Sequence, residues 1–548
     1  MNMRTNDRGR PRADGTRPRA RTLGRISMMG IALVASSISP APAAAFCGFM
    51  VSSGEGTPTN GGSMVALMRD GSRTVVSMQN DYQGPPEDFA LVIPVPEILE
   101  EGQVRTLPAD VFARLDTLAA PRLVEYWEQD PCYQPAAYDF EDDLISQAAT
   151  ESTGDEERSA EPEDLGVTIE AEYAVGEYDV LILGARDSAG LDTWLRRNGY
   201  AIPAGAEQVL RAYVEQDMKF FVAKVAIERV TFDDRQQVVL SPLRFHYDSE
   251  LLSLPIRLGL LNADGSQDVV VHVLGRGVRY EVVNYDNYAI PTNLTVTDEV
   301  REAFGSFYDA LFDRMTELHP RAVMTEYAWQ AGSCDPCPGP TLTAEDLTLL
   351  GADVVPTYER AIARGRVQTG FEQDFVLTRL HLRYTEQSLG EDLVFRTAPA
   401  IEGGRGQPGS DGSMSRGVRP YSVNNFQARY AILNEWEGPI ECASPRRGIW
   451  GGPPSTVQGT SAPMAAAGLV FASPVQTSLD ALLSGPVPEL GRSTETLPSG
   501  EVEPAPRPQI PGSGCAHCAV DATPGRASGF GLLLVGWVLG LIARRRRR

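Results

Sequence analysis

The stretch SMVALMRDGSRTVVSMQNDY (63–82) sets two apolar runs on either side of Asp70-Gly71. That pattern specifies a β-hairpin, because Asp-Gly supplies the tight turn that joins paired strands. DFALVIPVP (88–96) follows and is too apolar for a strand with one wet face, so it reads as buried. The motif recurs. VTIEAEYAVGEYDVLILGA (167–185) predicts a second hairpin, and KFFVAKVAIERV, LPIRLG, QDVVVHVLG, VRYEVVNY, VMTEYAWQ, VLTRLHLRY and FQARYAILNEW predict further strands. Helical spacing appears over 108–127 through Val111, Leu115, Leu118 and Leu123, and over 190–197 and 206–216. The longest helix is expected over 298–318, with Val300, Phe304, Phe307, Leu311 and Met315 on one side. Hairpin-linked strands with irregularly placed helices indicate the α+β class: one large domain of mostly antiparallel strands with interspersed helices, not repeated βαβ units.

The ends of the chain differ from its middle. Residues 1–45 carry eight arginines against Asp7 and Asp14, and Arg544 to Arg548 close the chain. The total charge is −23, so the intervening chain is more acidic still. An acidic surface repels phosphates, which argues against nucleic acid as a partner. The arginine-rich start, the run ISMMGIALVASSIS and the small residues Ala43 and Ala45 form an export signal, with cleavage expected between Ala45 and Phe46. Near the other end, residues 528–543 form an apolar run. At ~1.5 Å per residue it reaches about 24 Å, a short membrane span. The following arginines place that end in the cytoplasm and the body outside. Between them, 141–165 is an acidic stretch expected to be a disordered loop, and 451–514, rich in Pro, Gly and Ser, is expected to be an extended stalk. The domain boundaries are therefore 1–45 signal, 46–450 body, 451–514 stalk and 515–548 tail.

The seven cysteines are Cys47, Cys132, Cys334, Cys337, Cys442, Cys515 and Cys518. Export favours disulfides among the first five, and an odd number leaves at least one without a partner in the body. Cys334 and Cys337 have C-x-x-C spacing, but prolines surround them and no helix follows at once, so a loop staple is expected. Cys515-Ala-His-Cys518 has no second ligand pair at zinc-finger spacing, and neither C-x-x-C is followed by the histidine of a haem attachment site. GRGQPG (404–409) matches a dinucleotide-binding glycine pattern by its letters alone; no strand precedes it and Pro408 opposes a helix. His246, His272, His319 and His381 are scattered and read as structural. No metal, cofactor or catalytic constellation emerges.

Two resemblances add to this reading. The ending, with Gly514-Cys515, a short apolar run and terminal arginines, resembles the MYXO-CTERM sorting signal. That resemblance implies a myxosortase-like protease and the export machinery as partners, modification at Cys515 or Cys518, and delivery to the cell surface after transient anchoring in the inner membrane. The body, through YQGPPEDFALVIPVP, FARLDTLAAPRLVEYW with Cys132, LDTWLRRNGYAIP, LSPLRFHY, TRLHLRY and FQARYAILNEWEGPIECASP, resembles the bacterial family called domain of unknown function 2330. This implies one continuous domain and brings no activity or ligand with it. The expectation is an exported, surface-anchored binding or structural module. The alternative is an envelope enzyme, either a hydrolase using carboxylates or a thiol–disulfide enzyme using Cys334 and Cys337.

Overall fold

The computed structural model describes residues 49–52, 59–83, 89–132, 166–203, 205–232, 238–262, 265–364, 370–453, 462–469 and 477–491. The signal segment with Ala45 and Phe46, Cys47, the 141–165 loop, Cys515, Cys518 and the 528–543 run lie outside these residues. Among the described residues, no helix is long and apolar enough to cross a membrane.

The hairpin at Asp70-Gly71 forms as the residues dictate. Thr59–Asp70 pairs antiparallel with Arg73–Gln83, and Gly71 takes the positive φ of 65° that the turn needs. This hairpin lies within an eleven-stranded sheet. Thr59–Asp70 pairs parallel with Gln267–Arg276, which pairs antiparallel with Phe375–Tyr384 and, beyond it, Val323–Gln330. A five-stranded antiparallel sheet holds Phe89–Val95 between Phe49–Ser52 and Lys219–Val225, with the hairpin Val167–Val175/Tyr178–Ala185 on the far side.

Strand alternation decides how these sheets stack. Val65, Leu67, Val269, Val271, Leu380 and Leu382 of the larger sheet meet Leu91, Ile93, Val180, Ile182, Phe221 and Ala223 of the smaller one in one buried cluster. The outer face of the smaller sheet packs Val92, Leu183 and Val222 against Leu191, Trp194 and Leu210 of helices Ser188–Arg197 and Ala206–Val214. The other face of the larger sheet is covered by helix Ala109–Ala119 and the helical stretch from Ala344 to Ala352, and by the long helix Phe304–Leu318. The layers therefore run helix, sheet, sheet, helix. The chain forms a mixed, sheet-rich α+β domain with parallel as well as antiparallel pairings.

Several boundaries differ from the expectation for local physical reasons. The helical pattern over 108–127 stops at Ala119, because Pro121 cannot continue a helix; Arg122–Glu128 is a strand. FQARYAILNEW is not one strand. Asn425–Gln427 belongs to the large sheet, and Arg429–Asn434 pairs parallel with Arg122–Glu128 in another, so the chain changes sheets at Ala428. The 298–318 helix is broken at Ala303 into a short turn, Asp298–Arg301, and the helix Phe304–Leu318; the break seats both Val300 and Phe304 in the same core. LPIRLG ends a strand at Leu254 and turns into the 3-10 segment Arg257–Asn262.

The segment expected to be a stalk also begins as body. Met464–Ala465 pairs with Arg122–Glu128, and Leu482, Leu483, Val487 and Leu490 are buried against the long helix. Its Pro, Gly and Ser content hid this apolar spacing. Residues 492–514 lie outside the described set.

Candidate functional site

Strand Phe375–Tyr384 sends Leu380, Leu382 and Tyr384 into the inter-sheet core and the alternating Arg379, His381 and Arg383 toward the helices. These three cations meet carboxylates from four other elements. Arg379 binds Glu326 at 2.5 Å and also Asp116 of helix Ala109–Ala119. His381 lies between Glu326 (2.7 Å from Nδ1) and Asp268 (3.2 Å from Nε2). Arg383 donates through Nε and Nη2 to Asp268 at 2.9 and 2.8 Å and reaches Asp309 and Asp313 of the long helix. Tyr308 donates to Glu326, the Phe312 ring stacks on His381 at 3.8 Å, and the Gly468 amide donates to Asp116 at 2.6 Å. Glu326 sits at a register shift between Thr325 and Tyr327, the irregularity that turns its carboxylate to this face.

The two carboxyls flanking His381 are held ionised. Burial opposes the charge on Glu326, but His381 and Arg379 outweigh it and hold the carboxyl down to about 2. Burial likewise opposes ionisation of Asp268, and Arg383 and His381 override it to keep that carboxyl far below the usual range. His381 is raised despite burial because Glu326 and Asp268 flank it. His272 is lowered to about 3 by burial and by Arg379, whose Nη1 lies 3.3 Å from its Nε2. The scattered histidines thus divide. His272 and His381 share this network through Arg379, His246 is half-buried and lowered to about 4 by burial and by Arg73, and His319 stacks on Tyr288 at the end of the long helix.

A second group of arginines lies beneath the C-x-x-C loop. Cys334 and Cys337 are disulfide-bonded, Cys337 is exposed and Cys334 is half-buried. Between them, the Pro336 carbonyl accepts from Nη1 of the fully buried Arg122 at 2.8 Å, and the Asp335 carbonyl accepts from Gln427 Nε2 at 2.7 Å. Arg122 also donates to the Leu118 carbonyl at 2.6 Å, closing the end of helix Ala109–Ala119, and its guanidinium lies 5.3 Å from the centre of the Tyr327 ring. Arg429 is buried alongside and donates to Asn293 Oδ1, Tyr126 Oη and the Gly406 carbonyl. Arg405 lies over Trp329 at 5.2 Å.

The hydrogen bonds of Arg122 and Arg429 therefore go to neutral oxygens. Burial lowers the pKa of both guanidinium groups, so both charges are held at a cost. Arg122 Nε, Tyr327 Oη and Gln427 Oε1 are buried without a hydrogen-bond partner among the described residues. GRGQPG has its use here, as a loop packed against this cluster: a Cβ on Gly404 would lie 2.0 Å from the Gln427 carbonyl.

The other body disulfide joins Cys132 to Cys442, with Cα atoms 5.5 Å apart and 310 residues between them in sequence. Among the described residues, no group of three or more His, Cys, Asp or Glu side chains could hold a metal ion. Sequence reasoning missed the cations of both clusters. The one usable signal was Arg-x-His-x-Arg in TRLHLRY, three ionisable side chains in succession on one face of a strand.

Architecture and cysteines together define a disulfide-bonded, sheet-rich α+β domain. The family described as "Uncharacterized protein conserved in bacteria (DUF2330)" matches residues 41–396, and the chain belongs to that family. The match stops short of Cys442, so one half of the long-range disulfide lies past it. No curated protein and no solved structure matches the chain.

Proposed function

We propose that this chain works outside the cytoplasm as an envelope-anchored binding or structural module. The observation that carries the reading is the Cys132–Cys442 disulfide, which ties two parts of the body that are remote in sequence. Such bonds persist in oxidising compartments, which supports export through residues 1–45 with cleavage between Ala45 and Phe46. The 528–543 run and its arginines support anchoring in the inner membrane, and their MYXO-CTERM-like order supports transfer to the surface by a myxosortase-like protease acting near Cys515 or Cys518.

The charge network supports a scaffold role in preference to acid–base hydrolysis. A general acid needs a carboxyl raised toward neutral pH; Glu326 and Asp268 at the centre are held ionised by their cations, and the one carboxyl of the network that burial raises, Asp313, is itself paired with Arg383. They fasten helices to the sheet.

The test is the intact mass of the protein from envelope fractions of its native host. A mass beginning at Phe46, ending near Cys515 or Cys518 and carrying a lipid-sized addition is expected. A mass ending at Arg548 without addition overturns the sorting step. Retention of residues 1–45 overturns export.

A further inference from the structure

We propose that Cys334–Cys337 is a redox-active disulfide that oxidises protein or peptide dithiols, with the buried guanidinium groups beneath the loop stabilising its reduced form. Three observations lead there. First, Cys337 is exposed and Cys334 half-buried, so an attacking thiolate can reach the pair. Second, the two carbonyls between the cysteines are fastened from below by Arg122 and Gln427, so the loop backbone stays in place when the S–S bond opens. A bond spanning three residues removes little chain entropy, so a purely stapling role gains little from it. Third, Arg122 and Arg429 are buried on neutral partners, and Arg405 has Glu402 only at 3.9 Å. Asp335 of the loop itself acts on Arg429, whereas Arg122 has only carbonyls and the Tyr327 ring around its charge. Reduction of the loop adds a thiolate at Cys337, next in sequence to the Pro336 carbonyl that Arg122 holds, and a stabilised thiolate makes a disulfide more oxidising.

The exchange balances. A thiolate of the substrate dithiol attacks Cys337 Sγ, forming a mixed disulfide and expelling Cys334 as a thiolate. The second substrate thiol, deprotonated, attacks its own sulfur in the mixed disulfide and expels Cys337. The substrate gains a disulfide, the loop gains two electrons, and the two substrate protons pass to solvent or to the loop sulfurs.

The test uses the full chain in detergent, equilibrated with graded reduced and oxidised glutathione, quenched with acid and alkylated, with each cysteine peptide quantified by mass spectrometry. Cys334–Cys337 should be half-reduced at a glutathione ratio at least 100-fold less reducing than Cys132–Cys442, and the oxidised chain should convert a reduced dithiol peptide to its disulfide with one equivalent per loop. Arg122→Met removes a helix-terminal contact and can unfold the chain, so the guanidinium contribution is read from Arg405→Ala, which should make the loop at least threefold harder to reduce. Equal resistance of the two disulfides, or no peptide oxidation, overturns the proposal. An unmoved midpoint in Arg405→Ala overturns the role of the guanidinium cluster.

Discussion

Strand Val323–Gln330 serves two groups of arginines that differ in what surrounds the charge. Its Glu326 pairs with Arg379 and His381 in a network where every cation meets a carboxylate. Its Tyr327 and Trp329 offer only ring faces to Arg122 and Arg405, whose neighbour Arg429 binds neutral oxygens. Arg122 and Arg429 are buried as deeply as Arg379, but their hydrogen bonds reach no carboxylate. A buried cation matched by carboxylates makes a lock between elements. A buried cation left on carbonyls and rings holds potential that a new anion can use. The same contrast separates the disulfides: one ties remote parts of the body, the other closes a three-residue span above Arg122, which has no carboxylate partner.

Substitutions should widen that contrast. The largest effect is expected for Glu326→Ala, which strands Arg379 and His381; losing one partner of a buried ion pair costs about 3–5 kcal/mol, read as a lower urea midpoint. Cys442→Ser should follow, lowering the unfolding free energy by about 2–5 kcal/mol, while Cys337→Ser should cost about 2 kcal/mol or less.

Titration separates the members of the lock by sign. Glu326, held down to about 2, contributes stability that is present above the ordinary carboxylate range and lost as pH falls toward that value. His272, neutral in the fold down to about 3, adds acid lability that begins near the free imidazole value of about 6.5. His381 acts oppositely. Its pKa is raised, so its contribution is full below about 6.5 and is lost as pH rises through the raised value. Urea midpoints measured across pH should show His381→Phe losing the alkaline decline and keeping the acid one. The smallest effect on stability is expected for Arg405→Ala, about 0.5–1 kcal/mol for a half-exposed cation over a ring. A loss as large as that for Glu326→Ala would erase the distinction between the clusters.

How much of this was legible follows from the range of the interactions. The Asp70-Gly71 hairpin and the apolar stripe of Phe304–Leu318 are local patterns and read directly. Pro121 was a legible stop that the apolar spacing through Leu123 overrode. Thr343-Ala-Glu-Asp346 is a legible capping box at the start of a helix that was not foreseen; Thr343 and Asp346 each bond the other's backbone amide. The change of sheets at Ala428 and the pairing of Arg429–Asn434 with Arg122–Glu128 depend on segments far apart in the chain, for which one sequence carries no signal. The same distance hid the site. Nothing local to APRLVEYW tells that Arg122 ends under a loop more than two hundred residues away.

The buried Arg122, held on carbonyls and a ring, makes one disulfide reactive, whereas the carboxylate-matched lock supports only the fold. That difference is tested most directly by treating the native full chain with a low concentration of dithiothreitol, alkylating with iodoacetamide and mapping the labels. Labels are expected on Cys334 and Cys337 while Cys132 and Cys442 stay joined and the far-ultraviolet circular dichroism is unchanged. Labelling of all four together, or of Cys132 and Cys442 first, would contradict it.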